Sequence, residues 1–73
     1  MKVKELIAQL QTYDPDIMVV VSGYEGGVEE AGYTSEHTIA LNVNEDWYYG
    51  SHEMINKDDQ HEGKERVQAV YVR

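Results

Sequence analysis

The chain is 73 residues long, enough for one domain with one small core; a chain of this length buries only about 60% of the surface its unfolded form exposes and needs outside support. It contains no cysteine, which excludes disulfides and thiolate metal sites and fits a reducing compartment. Fourteen acidic residues against six basic ones give a net charge of -8, which argues against direct nucleic-acid binding, since phosphate neutralisation requires a basic surface.

No apolar run approaches the ~20 residues of a bilayer span, and Met1-Lys2-Val3-Lys4 leads into no signal-like segment. A soluble cytoplasmic protein without a membrane partner is expected, and its small core predicts a homo-oligomer, most simply a dimer.

Residues 2–13 read as one amphipathic helix. Val3, Ile7 and Leu10 fall at i, i+4 and i+7 with Leu6 beside them, while Lys4, Glu5, Gln9 and Gln11 take the other side. Asp14-Pro15 ends it, because proline cannot continue a helix from inside and pushes the preceding residue toward extended backbone. The run Ile17-Met18-Val19-Val20-Val21 is apolar at every position and predicts a central strand over 17–22, covered on both faces. Gly23-Tyr24-Glu25-Gly26-Gly27 is a turn, its glycines supplying positive φ or close backbone approach.

A weaker strand is expected over 28–34 and a better one over 37–44, where Ile39, Leu41 and Val43 alternate with Thr38, Ala40 and Asn42. The stretch 56–64 is highly charged and reads as a mobile loop. Residues 66–73 close the chain as a strand, alternating Val67, Ala69 and Tyr71 with Gln68, Val70 and Val72. The expected architecture is α+β: a single domain with one N-terminal helix packed on a three- to four-stranded, mainly antiparallel sheet.

Between the last two strands, Trp47, Tyr48 and Tyr49 stand in a row, preceded by Glu45-Asp46 and followed by His52. Side chains alternate along a strand, so three adjacent rings do not suit one buried face. They pack into the core, against another subunit, or against a ligand with a π face. A ligand site would combine Trp47, Tyr48, Tyr49 and His52 with Tyr24, Glu25, Gly26 and Gly27, whose backbone N–H groups could meet a phosphate with Arg66 or Arg73.

Catalysis has little support. No cysteine nucleophile exists, and the consecutive Ser51-His52-Glu53 cannot face one another as a triad. His37, His52 and His61 with Glu53, Asp58 and Glu62 supply metal-ligand types, but no pair has the helical i, i+4 spacing that makes a site specific. No enzyme, metal or cofactor is expected.

At Val3-Lys4-Glu5-Leu6-Ile7, Asp14-Pro15-Asp16, Gly23-Tyr24-Glu25-Gly26-Gly27 and Trp47-Tyr48-Tyr49-Gly50, the chain resembles a group of small uncharacterised proteins encoded by bacteriophages and proteobacterial prophages. The resemblance covers most of the chain outside 56–64. It implies a phage accessory protein in the host cytoplasm, of the kind that counters host defence as an anti-CRISPR-like or anti-restriction inhibitor or as a sponge for an immune signal.

The leading expectation is a non-enzymatic protein that sequesters a nucleotide-type immune signal with Tyr24, Trp47, Tyr48, Tyr49 and His52. The alternative is an acidic inhibitor that docks on the basic nucleic-acid-binding surface of a host defence protein through Glu29, Glu30, Glu45, Asp46, Asp58 and Asp59.

Overall fold

The computed structural model describes residues 1–57 and 60–73. They form two compact units, Met1–Tyr33 with Val72–Arg73, and Thr34–Tyr71. The architecture is a small α+β fold with one N-terminal helix and two antiparallel sheets, of two and three strands. Among the described residues, no helix is long and apolar enough to cross a membrane.

In the first unit, helix α1 spans Val3–Leu10. Its first turn is closed by the Lys2 carbonyl, which accepts from the Glu5 and Leu6 N–H groups at 3.0 and 3.1 Å. Glu5 also places a carboxylate near the positive end of the helix dipole. The helix ends sooner than expected because its last turn tightens. Thr12 and Tyr13 N–H groups donate three residues back, to Gln9 and Leu10, and the Thr12 hydroxyl also donates to the Gln9 carbonyl.

The Asp14 carboxylate then accepts from the Asp16 N–H at 2.9 Å across Pro15, and the Asp14 carbonyl accepts from Ile17. This side-chain turn consumes the backbone that would have begun the next strand. Strand β1 is accordingly Val20–Ser22 and not 17–22.

β1 pairs antiparallel with β2, Val28–Glu30, in the register Val20↔Glu30, Val21↔Glu29 and Ser22↔Val28. The expectation of a central strand covered on both faces is incorrect. This sheet has two strands, and Ile17, Met18, Val19 and Val20 are exposed. The connecting hairpin is fastened by the Gly23 N–H to the Gly27 carbonyl at 2.8 Å. Its tip puts Glu25 at φ 54° and Gly26 at φ 81°, the left-handed region that glycine enters without a Cβ penalty. Tyr33 and Arg73 exchange N–H···O bonds of 2.7 and 3.0 Å, and the Arg73 guanidinium lies 5.5 Å from the centre of the Tyr33 ring.

The second unit is built on β3, Thr34–Ala40, which lies between β4, Glu53–Met54, and β5, Arg66–Val72. β3 and β4 are antiparallel with Ile39↔Met54 and Ala40↔Glu53. On the other side the Leu41 N–H donates to the Glu65 carbonyl, and the Gln68 amide donates to the Thr38 hydroxyl at 3.0 Å.

Ala40 is the one buried residue among those described, with 0% exposure. Its small side chain sits at the last rung of β3 against β4. The strand expected over 37–44 is displaced toward the N-terminus because Asn42 takes φ 56°. Asparagine tolerates that region better than most side chains, and the excursion removes Leu41 and Val43 from the alternating face. β4 escapes sequence reading because two residues show no periodicity. Asp58 and Asp59 lie outside the described residues, so the reading of 56–64 as a mobile loop falls partly there.

Enlarging the buried residue at the end of the ladder tests this arrangement. Ala40→Leu forces a larger side chain into packed space and is expected to destabilise the protein by about 1–3 kcal/mol. Chemical denaturation reads the effect, and an unchanged midpoint would contradict a buried Ala40.

Candidate functional site

The loop that leaves β3 and returns as β4 carries the aromatic row, and its polar residues fasten it to itself. The Val43 and Asn44 N–H groups both donate to the Ser51 carbonyl, at 2.9 and 3.2 Å. The Asn44 side-chain amide donates to the Gly50 carbonyl at 2.7 Å. At the tip, the Tyr49 N–H closes a four-residue turn on the Asp46 carbonyl at 3.1 Å. At the base, the Asn42 N–H donates to Nδ1 of His52 at 2.9 Å. The two strand residues at its ends, Ala40 and Glu53, are register partners, so the loop is anchored on both sides.

This frame displays the rings and does not bury them. Trp47 is 93% exposed, and Tyr48 and Tyr49 are exposed as well. The Trp47 and Tyr48 rings meet edge to face with centroids 5.7 Å apart, and Tyr48 and Tyr49 tilt against each other at 4.9 Å. Such pairs contribute ~0.5–1.5 kcal/mol beyond burial and keep adjacent rings mutually ordered. The core reading of this segment therefore does not describe the chain. His52 has a defined tautomer: Nδ1 accepts a hydrogen bond, so the neutral ring carries its proton on Nε2.

Trp47, Tyr48, Tyr49 and His52 thus share one loop of the second unit with Glu45 and Asp46, both exposed. Tyr24, Glu25, Gly26 and Gly27 form the hairpin tip of the first unit, with Tyr24 exposed and Glu29 and Glu30 exposed on the strand that follows. Arg73 belongs to the first unit and engages Tyr33, whereas Arg66 donates to the Gln60 carbonyl at 2.6 Å in the second. Asp58 and Asp59 lie outside the described residues. Between Lys4 and Lys57 the chain has no lysine or arginine, so the charge of the aromatic loop is wholly acidic.

The other two histidines make separate local contacts. His37 Nε2 is 2.8 Å from the Ser35 hydroxyl, and its ring meets Tyr71 edge to face. His61 Nε2 is 3.2 Å from a Glu53 carboxylate oxygen. Ser51, His52 and Glu53 accordingly engage different partners. Among the described residues, no group of three or more His, Cys, Asp or Glu is arranged to hold a metal ion.

Sequence reasoning missed Asn42, Asn44, Gly50 and Ser51 as the residues that shape the site. The available signal was two asparagines spaced around Val43 just ahead of the aromatic row, a pattern suited to left-handed backbone and side-chain-to-backbone bonding. Comparison with family models, with curated proteins and with solved structures finds no match.

An exposed indole has little folding energy to lose. Trp47→Ala is expected to change stability by no more than about 0.5 kcal/mol, against the ~3–5 kcal/mol of a core tryptophan. Wild-type Trp47 should emit as a solvated indole and be quenched freely by acrylamide. A blue-shifted, protected emission together with a large loss of stability would return the ring to the core.

Proposed function

We propose that this is a non-enzymatic binding protein whose contact element is the aromatic loop, and that its partner is a basic, nucleic-acid-binding surface of a host defence protein. The observation that carries this reading is a row of three exposed rings on a hydrogen-bonded loop headed by Glu45 and Asp46. Tryptophan and tyrosine are the residues that most often dominate protein interfaces, since each buries about 150–250 Å² and has few rotamers to lose. A loop already fastened to itself loses less freedom on binding. The flanking carboxylates and the net charge of -8 favour encounter with a basic surface and disfavour acidic ones. The resemblance to small phage-encoded proteins supports a counter-defence role in the host cytoplasm, as an anti-CRISPR or anti-restriction inhibitor.

A second reading, sequestration of a nucleotide-type immune signal, is favoured by the Nε2–H of His52 on the same loop as three flat rings. Stacking a base contributes ~1–3 kcal/mol per ring, and an N–H donor can read a base edge. Phosphates, however, would meet Glu45 and Asp46, and their donors would have to come from Tyr24, Glu25, Gly26, Gly27 and Arg73. The docking reading needs no such addition and ranks first.

Charge reversal separates the two by sign. Expressed in cells carrying a defined defence system, the wild-type protein should restore plating of a sensitive phage. The Glu45→Lys/Asp46→Lys variant should lose that protection at unchanged melting temperature, and Tyr48→Ala should lose it too. Under the nucleotide reading the added lysines would preserve or tighten binding, read as Trp47 fluorescence across a panel of cyclic nucleotides and oligonucleotides. Full protection by both variants would remove the loop from the function altogether.

A further inference from the structure

We infer that His52 is a pH-sensitive clasp on the aromatic loop, holding its base in the fastened form only while the imidazole is neutral. Its consequence for a docked partner rests on the reading above; the clasp itself does not. It begins at a change of register. β3 and β4 pair as Ile39↔Met54 and Ala40↔Glu53, whereas the next bonds across the loop base run from Val43 and Asn44 to Ser51. Two residues, Leu41 and Asn42, therefore stand opposite one, His52. That count is a β-bulge, in which the extra residue falls out of the ladder.

Asn42 is the extra residue. It takes φ 56°, in the left-handed region that such bulges use. Its N–H donates to Nδ1 of His52 at 2.9 Å instead of to a backbone carbonyl. The Leu41 N–H turns the other way, to the Glu65 carbonyl at 2.9 Å. The side chain opposite the bulge thus supplies the acceptor that the ladder does not.

A backbone N–H only donates, so this bond requires a lone pair on Nδ1. An imidazolium has none, because both ring nitrogens then carry protons. Protonation consequently sets two N–H groups against each other, whichever way the ring is turned. Histidine is the side chain that changes charge between about pH 5 and 8. His52 and Asn42 are exposed, so water takes over the freed N–H and the bond opens without unfolding the unit.

The charged groups at this end of the unit accommodate a positive ring. Glu45 and Asp46 lie on the same loop, Glu53 adjoins on β4 with His61 at 3.2 Å, and Glu65 and Arg66 stand where β5 meets the end of β3. Carboxylates outnumber basic groups among them. His61 acts in the opposite direction: once protonated, it gives Glu53 a charge-assisted bond that fastens β4. Acidification therefore loosens the base of the loop and leaves the strands beneath it paired.

NMR of the 15N-labelled full chain from about pH 8 to about pH 5 tests the clasp. At the upper end the His52 ring should carry its proton on Nε2 alone. On acidification the Asn42 amide resonance should follow the His52 ring. Its protection from hydrogen exchange, corrected for the intrinsic effect of pH, should fall about two- to tenfold, the loss of one such bond. His52→Asn, whose side-chain oxygen can take the place of Nδ1, should keep Asn42 protected throughout, and His61→Gln should leave the wild-type response intact.

An Asn42 amide indifferent to the His52 titration, or a proton on Nδ1 at the upper pH, would overturn the inference. So would a response that survives in His52→Asn or disappears in His61→Gln. The wild-type titration decides the matter even where a variant fails to fold. All of these measurements are made on the free protein, so the clasp and the docking reading fail separately.

Discussion

The pairing of Ala40 with Glu53 is the constraint on which the second unit depends. It is the last rung of β3 against β4, and it lies where the chain has its one described side chain without exposed surface. Everything between those two residues is a closed connection, and its aromatic content is carried outward because the base has nowhere to open. The same strand meets β5 on its other edge, so a residue as small as alanine sits where three strands converge. A larger side chain would have separated the strands and loosened both ends of the loop.

Hydrogen bonding does work here that apolar burial usually does. Asn42, Asn44, Ser51 and His52 satisfy one another's backbone and side chains across the loop base. A similar economy governs the first unit, where the Asp14 carboxylate builds the turn after α1 and Gly23 and Gly27 close the hairpin. Each such bond contributes only about 0.5–1.5 kcal/mol net. Their value lies in fixing a single conformation of polar backbone on a chain with little apolar surface to bury.

Opposite properties are thereby sorted along the molecule. Exposed aliphatic side chains are concentrated at α1 and the run after it, alongside Glu5, Asp14 and Asp16, while exposed aromatic rings headed by Glu45 and Asp46 are concentrated in the loop after β3. The proposed basic partner would meet the second.

The sequence by itself determined the existence of α1, the stop at Asp14-Pro15, the glycine turn and the closing strand 66–73, because each is written in residues within a few positions of one another. It also marked the aromatic row as anomalous, since three adjacent rings fit no strand face. Tertiary structure alone decided that β1 would gain one partner instead of two, that Asn42 would turn the chain and cut short the strand expected to reach Asn44, and that Glu53-Met54 would pair at all. It also decided that Trp47 faces solvent. These outcomes rest on contacts between residues distant in sequence, on which side of a ladder a neighbour lies and which backbone groups remain to be satisfied. No local pattern carries that information.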